Sequence, residues 1–152
     1  MEARINFNET RKGFLDSLLK VGEYLHGAQI DEKLHHLLAY RVSQINGCAF
    51  CLDMHHKDAI HAGDTEQRIH GMPAWRESPW YSDAERAAFA LAEDLTLHNE
   101  STDENYTGLL KYFTKEQIAD MVLIVSMTGT WNRVNKAFRT VPGGYQPGAF
   151  TL

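Results

Sequence analysis

Ser43-Gln-Ile-Asn-Gly-Cys48-Ala-Phe-Cys51-Leu-Asp-Met-His55 contains both cysteines of a 152-residue chain and a histidine four residues past the second one. Asn46-Gly47 is a strong helix breaker. If Gly47 turns the chain and Cys48 enters a helix, a rotation of about 100° per residue puts Cys51 about 60° and His55 about 20° from Cys48 around the axis. The three side chains then share one face. Unpaired first-turn amides and the positive end of the helix dipole favour a thiolate there, and His55 can take or share the proton of Cys51.

Upstream, Asp31 is placed to cap a helix carrying Leu34, Leu37, Leu38, Val42 and Ile45, which delivers the chain to Cys48. Before it, Phe14, Leu15, Leu18, Leu19, Val21 and Leu25 recur at helical spacing within a predicted helix from Asn8 to His26, and Gly27 is its stop. Downstream, the cysteine helix is expected to reach His61 and end at Ala62-Gly63, with Asp64 or Thr65 capping a short turn through Ile69. Gly71 to Ser82 holds Trp75, Trp80 and Tyr81 and reads as an ordered connection, a candidate pocket wall. Ser82 or Asp83 caps a helix rich in alanine, Thr102 or Asp103 one that runs through Leu109, Leu110 and Phe113, and Thr114 the last long one. In that last helix Met121 to Met127 is apolar nearly all round, which implies burial, in part against another subunit. The tail from Pro142 has glycines and prolines and is expected to be irregular. With no period-two strand pattern, the fold class is all-α in one domain spanning residues 1 to 152.

At this length the chain can bury roughly 68–70% of its unfolded surface without disulfide staples. The net charge of −5, with 15 scattered basic residues, leaves no footprint for nucleic acid or an anionic membrane. No run approaches the ~20 apolar residues of a membrane span, and the amino terminus has no secretory pattern, so a cytoplasmic protein is expected. In a reducing compartment two cysteines three apart point to catalysis or metal binding rather than to a staple. Three readings compete: two ordinary buried thiols, a zinc site with His55, His56 or His61, and thiol redox chemistry. Zinc would need a second ligand pair that no other cysteine supplies, and thioredoxin would need a βαβ context that is missing.

Arg41-Val-Ser-Gln-Ile-Asn-Gly-Cys-Ala-Phe-Cys-Leu-Asp-Met-His55, followed by Asp83-Ala-Glu-Arg-Ala-Ala-Phe-Ala-Leu-Ala-Glu93, resembles the core of the alkylhydroperoxidase D-like branch of the carboxymuconolactone decarboxylase superfamily, over roughly residues 31 to 100. The resemblance implies an all-α protein assembling as a homo-oligomer, a trimer or hexamer, with a peroxidase site run by a redox-active Cys48–Cys51 disulfide and no metal or organic cofactor. It implies that Cys51 attacks the hydroperoxide and passes through a sulfenic acid, that Cys48 donates a proton and resolves it, and that His55 activates Cys51. A thiol or lipoyl-type reductant would restore the dithiol. The relay of that family includes a glutamate twelve residues before the first cysteine, where this chain has His36, preceded by His35; histidine relays protons near neutral pH but has the opposite charge preference. Two other readings stand beside this one: a redox-sensing or partner-binding module without turnover, and a decarboxylase-branch enzyme, which would not depend on the cysteine pair.

Overall fold

In the computed structural model, which describes residues 2 to 149, seven α-helices follow one another: α1 (Phe14–His26), α2 (Glu32–Asn46), α3 (Ala49–His61), α4 (Glu66–Gly71), α5 (Asp83–Leu97), α6 (Asp103–Leu109) and α7 (Lys115–Phe138). Two short 3-10 turns, Phe7–Glu9 and Met72–Ala74, complete the regular structure, and no strand occurs among the described residues. The all-α expectation holds. Its starts are chemical: Asp31, Thr65, Ser82, Thr102 and Thr114 each accept a backbone N–H of the helix they open, and Ser82 with Glu85 and Thr114 with Gln117 form capping boxes.

The helix α2 is the hub, packing against α3, α5 and α7. Its apolar stripe, Leu34, Leu37, Leu38 and Val42, is fully buried with Phe89, Leu91, Met121 and Ile124 from α5 and α7. Burying a side chain of this size is worth roughly 1.5–3 kcal/mol, so this stripe fixes which face of α2 looks inward and therefore how its end presents Gly47 and the cysteines. The half-buried Val122, Leu123 and Met127 of α7 alternate with the exposed Ser126, so the apolar run there is not enclosed all round within one chain. Among the described residues, no helix is long and apolar enough to cross a membrane.

Two expected boundaries move. The first helix begins at Phe14, not Asn8, because Glu9 Oε2 accepts the Asn6 N–H at 2.6 Å to close a separate turn and Gly13 adopts φ +88°. Phe7 then lies against Phe138 and Trp131 (ring centroids 5.4 and 6.1 Å), an attraction no local pattern encodes. Likewise α6 stops at Leu109, and Tyr112 and Phe113 fold back to its carbonyl. The 72–81 connection is ordered as expected: Arg86 donates to the carbonyls of Trp75, Arg76, Ser78 and Tyr81.

Candidate active site

Gly47 ends α2 at φ +64°, a left-handed conformation that glycine adopts without strain. The turn is pinned from α7: Lys136 Nζ donates to Asn46 O (2.5 Å), Asn46 Nδ2 to Asn132 Oδ1 (2.9 Å), and Asn132 Nδ2 to Ser43 Oγ (3.0 Å). Cys48 is thereby set as the N-cap of α3, where its Sγ accepts the Cys51 N–H at 3.3 Å. Cys48 and Cys51 form a disulfide with Cα atoms 5.3 Å apart, and each is 1% exposed.

The neighbour of Cys51 Sγ is Asn135, whose Nδ2 lies 3.7 Å away and also donates to Trp131 O at 3.0 Å. Asn135, Phe50, Met54, Trp131, Phe7 and Leu19 are among the residues lining an apolar pocket of about 40 Å³. Since one water needs roughly 10–15 Å³ on this measure, the pocket admits a small organic group rather than a large ligand. The aromatic 72–81 connection does not line it. A second hollow, of about 30 Å³, meets His55 and His35 between α1 and α7.

His55 is buried one turn past Cys51, and its Nδ1 has no hydrogen-bond partner. Burial first, then the neighbouring His36 and His35, hold its pKa well below the usual imidazole value, so it is neutral at pH 7. His36 also has an unpartnered Nδ1, and its Nε2 stands 3.9 Å from Glu32 Oε1, too far for a hydrogen bond. Burial lowers its pKa, against the pull of Asp58 and Glu32. The rings of His36 and His55 are 6.3 Å apart. Structure thus brings His36 to His55, on the adjoining helix, while His56 pairs with Glu66 at 2.9 Å and His61 stays exposed.

Three groups here escaped the sequence reading. Asn135 is 84 positions from Cys51, and nothing local marks it. Asp58 lies three residues beyond His55, so helical spacing alone would have put a carboxylate on its face. Tyr145 comes from the irregular tail, yet it is buried and its Oη donates to Asp58 Oδ1 at 2.8 Å. The tail is held to α3 by Lys57, which donates to the carbonyls of Gly143 and Tyr145 (both 3.1 Å) and to Asp53 Oδ2 (2.8 Å), while Gly143 N–H donates to that same oxygen at 3.0 Å.

His36, His55 and Asp58 each offer a donor atom, all within 4.8 Å of one another. They are metal-ligating residue types, but donors about 2.0–2.1 Å from a zinc-sized ion in a tetrahedral set stand roughly 3.3–3.5 Å apart. As placed, no ion pair joins either histidine to Asp58 among the described residues, and the set would have to contract to close on a cation.

Residues 12–94 match the model of the carboxymuconolactone decarboxylase family. The chain belongs to that family. Within it, the likeness is to the AhpD-like branch: ATU0492 of Agrobacterium tumefaciens, a protein of unknown function named for AhpD-type antioxidant defence, shares 32% identity and superposes with a TM-score of 0.89 over 95% of this chain and 100% of its own. The uncharacterized protein YdfG of Bacillus subtilis (strain 168) is 37% identical over 139 residues, covering 90% of this chain and 95% of YdfG. The debrominase Bmp8, in complex with 2,3,4-tribromopyrrole, shares the fold at a TM-score of 0.73 and 22% identity, covering 84% of this chain and 68% of its own. The debrominase shares with this chain the fold alone, and a fold does not fix a reaction, so the chemistry has to be argued from the site.

Proposed function

We propose that the protein is a thiol-dependent peroxidase that reduces small hydroperoxides through a Cys48–Cys51 dithiol/disulfide cycle. The observation that carries this reading is the disulfide at the start of α3, with the Cys51 sulfur touching Asn135 on the wall of an apolar pocket. In the reduced protein the Cys51 thiolate attacks a peroxide oxygen: the S–O bond forms, the O–O bond breaks, and the leaving alkoxide takes a proton to become an alcohol. Cys48 then attacks the sulfenic sulfur, giving the disulfide and water, which carries off the Cys48 proton. Two electrons have left the dithiol, and a thiol or lipoyl-type dithiol returns them.

Cys51 is the attacking residue because its sulfur borders the pocket through Asn135 and His55 follows it by one turn. Cys48, whose sulfur accepts a first-turn amide, is the resolving partner. His55, neutral at pH 7, is the base that takes the Cys51 proton. No metal or organic cofactor enters this cycle. The half-buried face of α7 supports a homo-oligomer, which the resemblance makes a trimer or hexamer, and the reading places it in the cytoplasm.

Consumption of hydrogen peroxide and an organic hydroperoxide with lipoyl, thioredoxin-type and small-thiol reductants tests the reading. Sustained turnover dependent on both cysteines is expected. One equivalent consumed and then a stop would make the pair a redox switch instead. Light scattering at micromolar concentration checks the assembly, and a mass of 17.3 kDa would exclude it.

A further inference from the structure

A neutral, buried His55 that takes a thiol proton becomes a buried cation, and such a cation persists only beside a carboxylate or another route for its proton. Position 36, where the resemblance implies a glutamate, supplies none. The carboxylate beside His55 belongs to Asp58, which is 8% exposed and follows it by three residues on α3. It accepts a hydrogen bond from Tyr145 Oη, and the Tyr145 carbonyl is clamped by Lys57. Its separation of up to 4.8 Å from the donor atoms of His36 and His55 fits groups linked through one shared water, for which two hydrogen bonds of about 2.8 Å span roughly 4.5 Å. The other titratable groups around the trio are Glu32 and His35 on α2, His61 on α3 and Tyr145 itself, while α7 faces His55 with Thr128 and Trp131.

We propose that Asp58, oriented by Tyr145, is the proton-accepting carboxylate of the dithiol site. The inference rests on the peroxidase reading for its purpose. The Cys51 S–H proton passes to His55 and on to the Asp58 carboxylate, through a shared water or through His36; when the alkoxide leaves, the proton returns along the same path to it, so none is gained or lost. The design separates roles: His55 exchanges with sulfur, and Asp58 holds the proton until the alkoxide takes it.

The test uses reduced protein and the pH dependence of Cys51 alkylation by iodoacetamide, with the modified cysteine located by mass spectrometry, because this reads thiolate formation without peroxide. Asp58→Asn keeps a group that accepts from Tyr145 but removes the charge. It is expected to move the alkylation midpoint up by about one pH unit and slow alkylation about tenfold at pH 7, and Tyr145→Phe is expected to shift it less in the same direction. The His36→Glu/Asp58→Asn pair restores a carboxylate from α2 and is expected to recover the rate to within about threefold of wild type. A structural role for Asp58 would show no such rescue. An unchanged profile in Asp58→Asn, or a double variant as slow as the single one, would overturn the proposal. So would stoichiometric zinc held by wild type and lost in Asp58→Asn, which would make the trio a metal cage. Hydroperoxide turnover followed in parallel separates the two readings: turnover with an unchanged alkylation profile rejects Asp58 alone, and a shifted profile without wild-type turnover rejects the peroxidase.

Discussion

Glu93 and His55 are equally hidden, at 6% and 5% exposure, but their surroundings differ in kind. Around Glu93, Oε1 accepts from Arg41 Nη2 (2.6 Å), Arg41 Nε (2.9 Å) and Trp75 Nε1 (2.9 Å), and Oε2 from Arg76 (2.6 Å). Burial pushes this carboxyl up, yet the bonds from Trp75, Arg76 and Arg41 outweigh it and hold the carboxyl below its usual range. Around His55, by contrast, two imidazole nitrogens lack partners and three rings crowd together without charge. A saturated polar network stabilises one arrangement, whereas an unsaturated one keeps capacity to accept protons, at a cost in stability. The first region is scaffold for the aromatic connection, and the second is where we propose that the chemistry takes place.

The largest expected contrast comes from Cys51→Ser, which should abolish hydroperoxide turnover while leaving urea unfolding close to that of the reduced wild type. Residual turnover above a few per cent would break the assignment of chemistry to this region. Glu93→Ala should act the other way: it strands Arg41 and Trp75 Nε1, so a loss of about 3 kcal/mol is expected in denaturant unfolding, with activity per folded molecule retained. His55→Ala should slow sulfenic acid formation at Cys51 about 10²-fold, as measured by a trapping reagent and mass spectrometry, with little loss of stability.

A pH titration of stability sharpens the same contrast, since the two regions respond in separate windows. Burial, with His36 second, lowers the His35 pKa to about 4, against roughly 6.5 in the unfolded chain. Between those values the unfolded state binds the proton and the folded state does not, so stability should rise as pH goes from about 4 to about 6.5 and level off above. Glu93 has a folded pKa below its unfolded value, so its contribution is present above roughly pH 4.3 and is lost as pH falls through the folded pKa. Because His55 and His36 are also held below the ordinary imidazole value, His35→Asn should lessen the slope of the upper limb without abolishing it, and Glu93→Gln should lessen that of the lower one. The smallest effect concerns packing: a Cβ at Gly71 would meet the Trp80 ring, with Cε3 at 2.8 Å, so Gly71→Ala should cost about 1–2 kcal/mol by thermal unfolding without altering turnover.

Most of the fold was legible in the chain, because helical periodicity and side-chain caps act over three or four residues: Asp31, Gly47, Ser82 and Thr114 mark their boundaries wherever the helices finally pack. Phe14 as the start of α1 was not, since the aromatic contacts of Phe7 with the end of α7 compete with local propensity. In the site, Cys48 caps the helix that carries Cys51 and His55, and the grouping of the three follows from their spacing along it. His36, Asn135 and Tyr145 reach that site from α2, α7 and the tail, over separations of up to 87 positions. Sequence by itself determined the all-α class and the cysteine helix with its histidine. Tertiary structure alone decided what surrounds them, because which distant side chains meet a buried sulfur or carboxylate depends on how the apolar faces of α2, α3 and α7 interlock, and that packing is a property of the whole core.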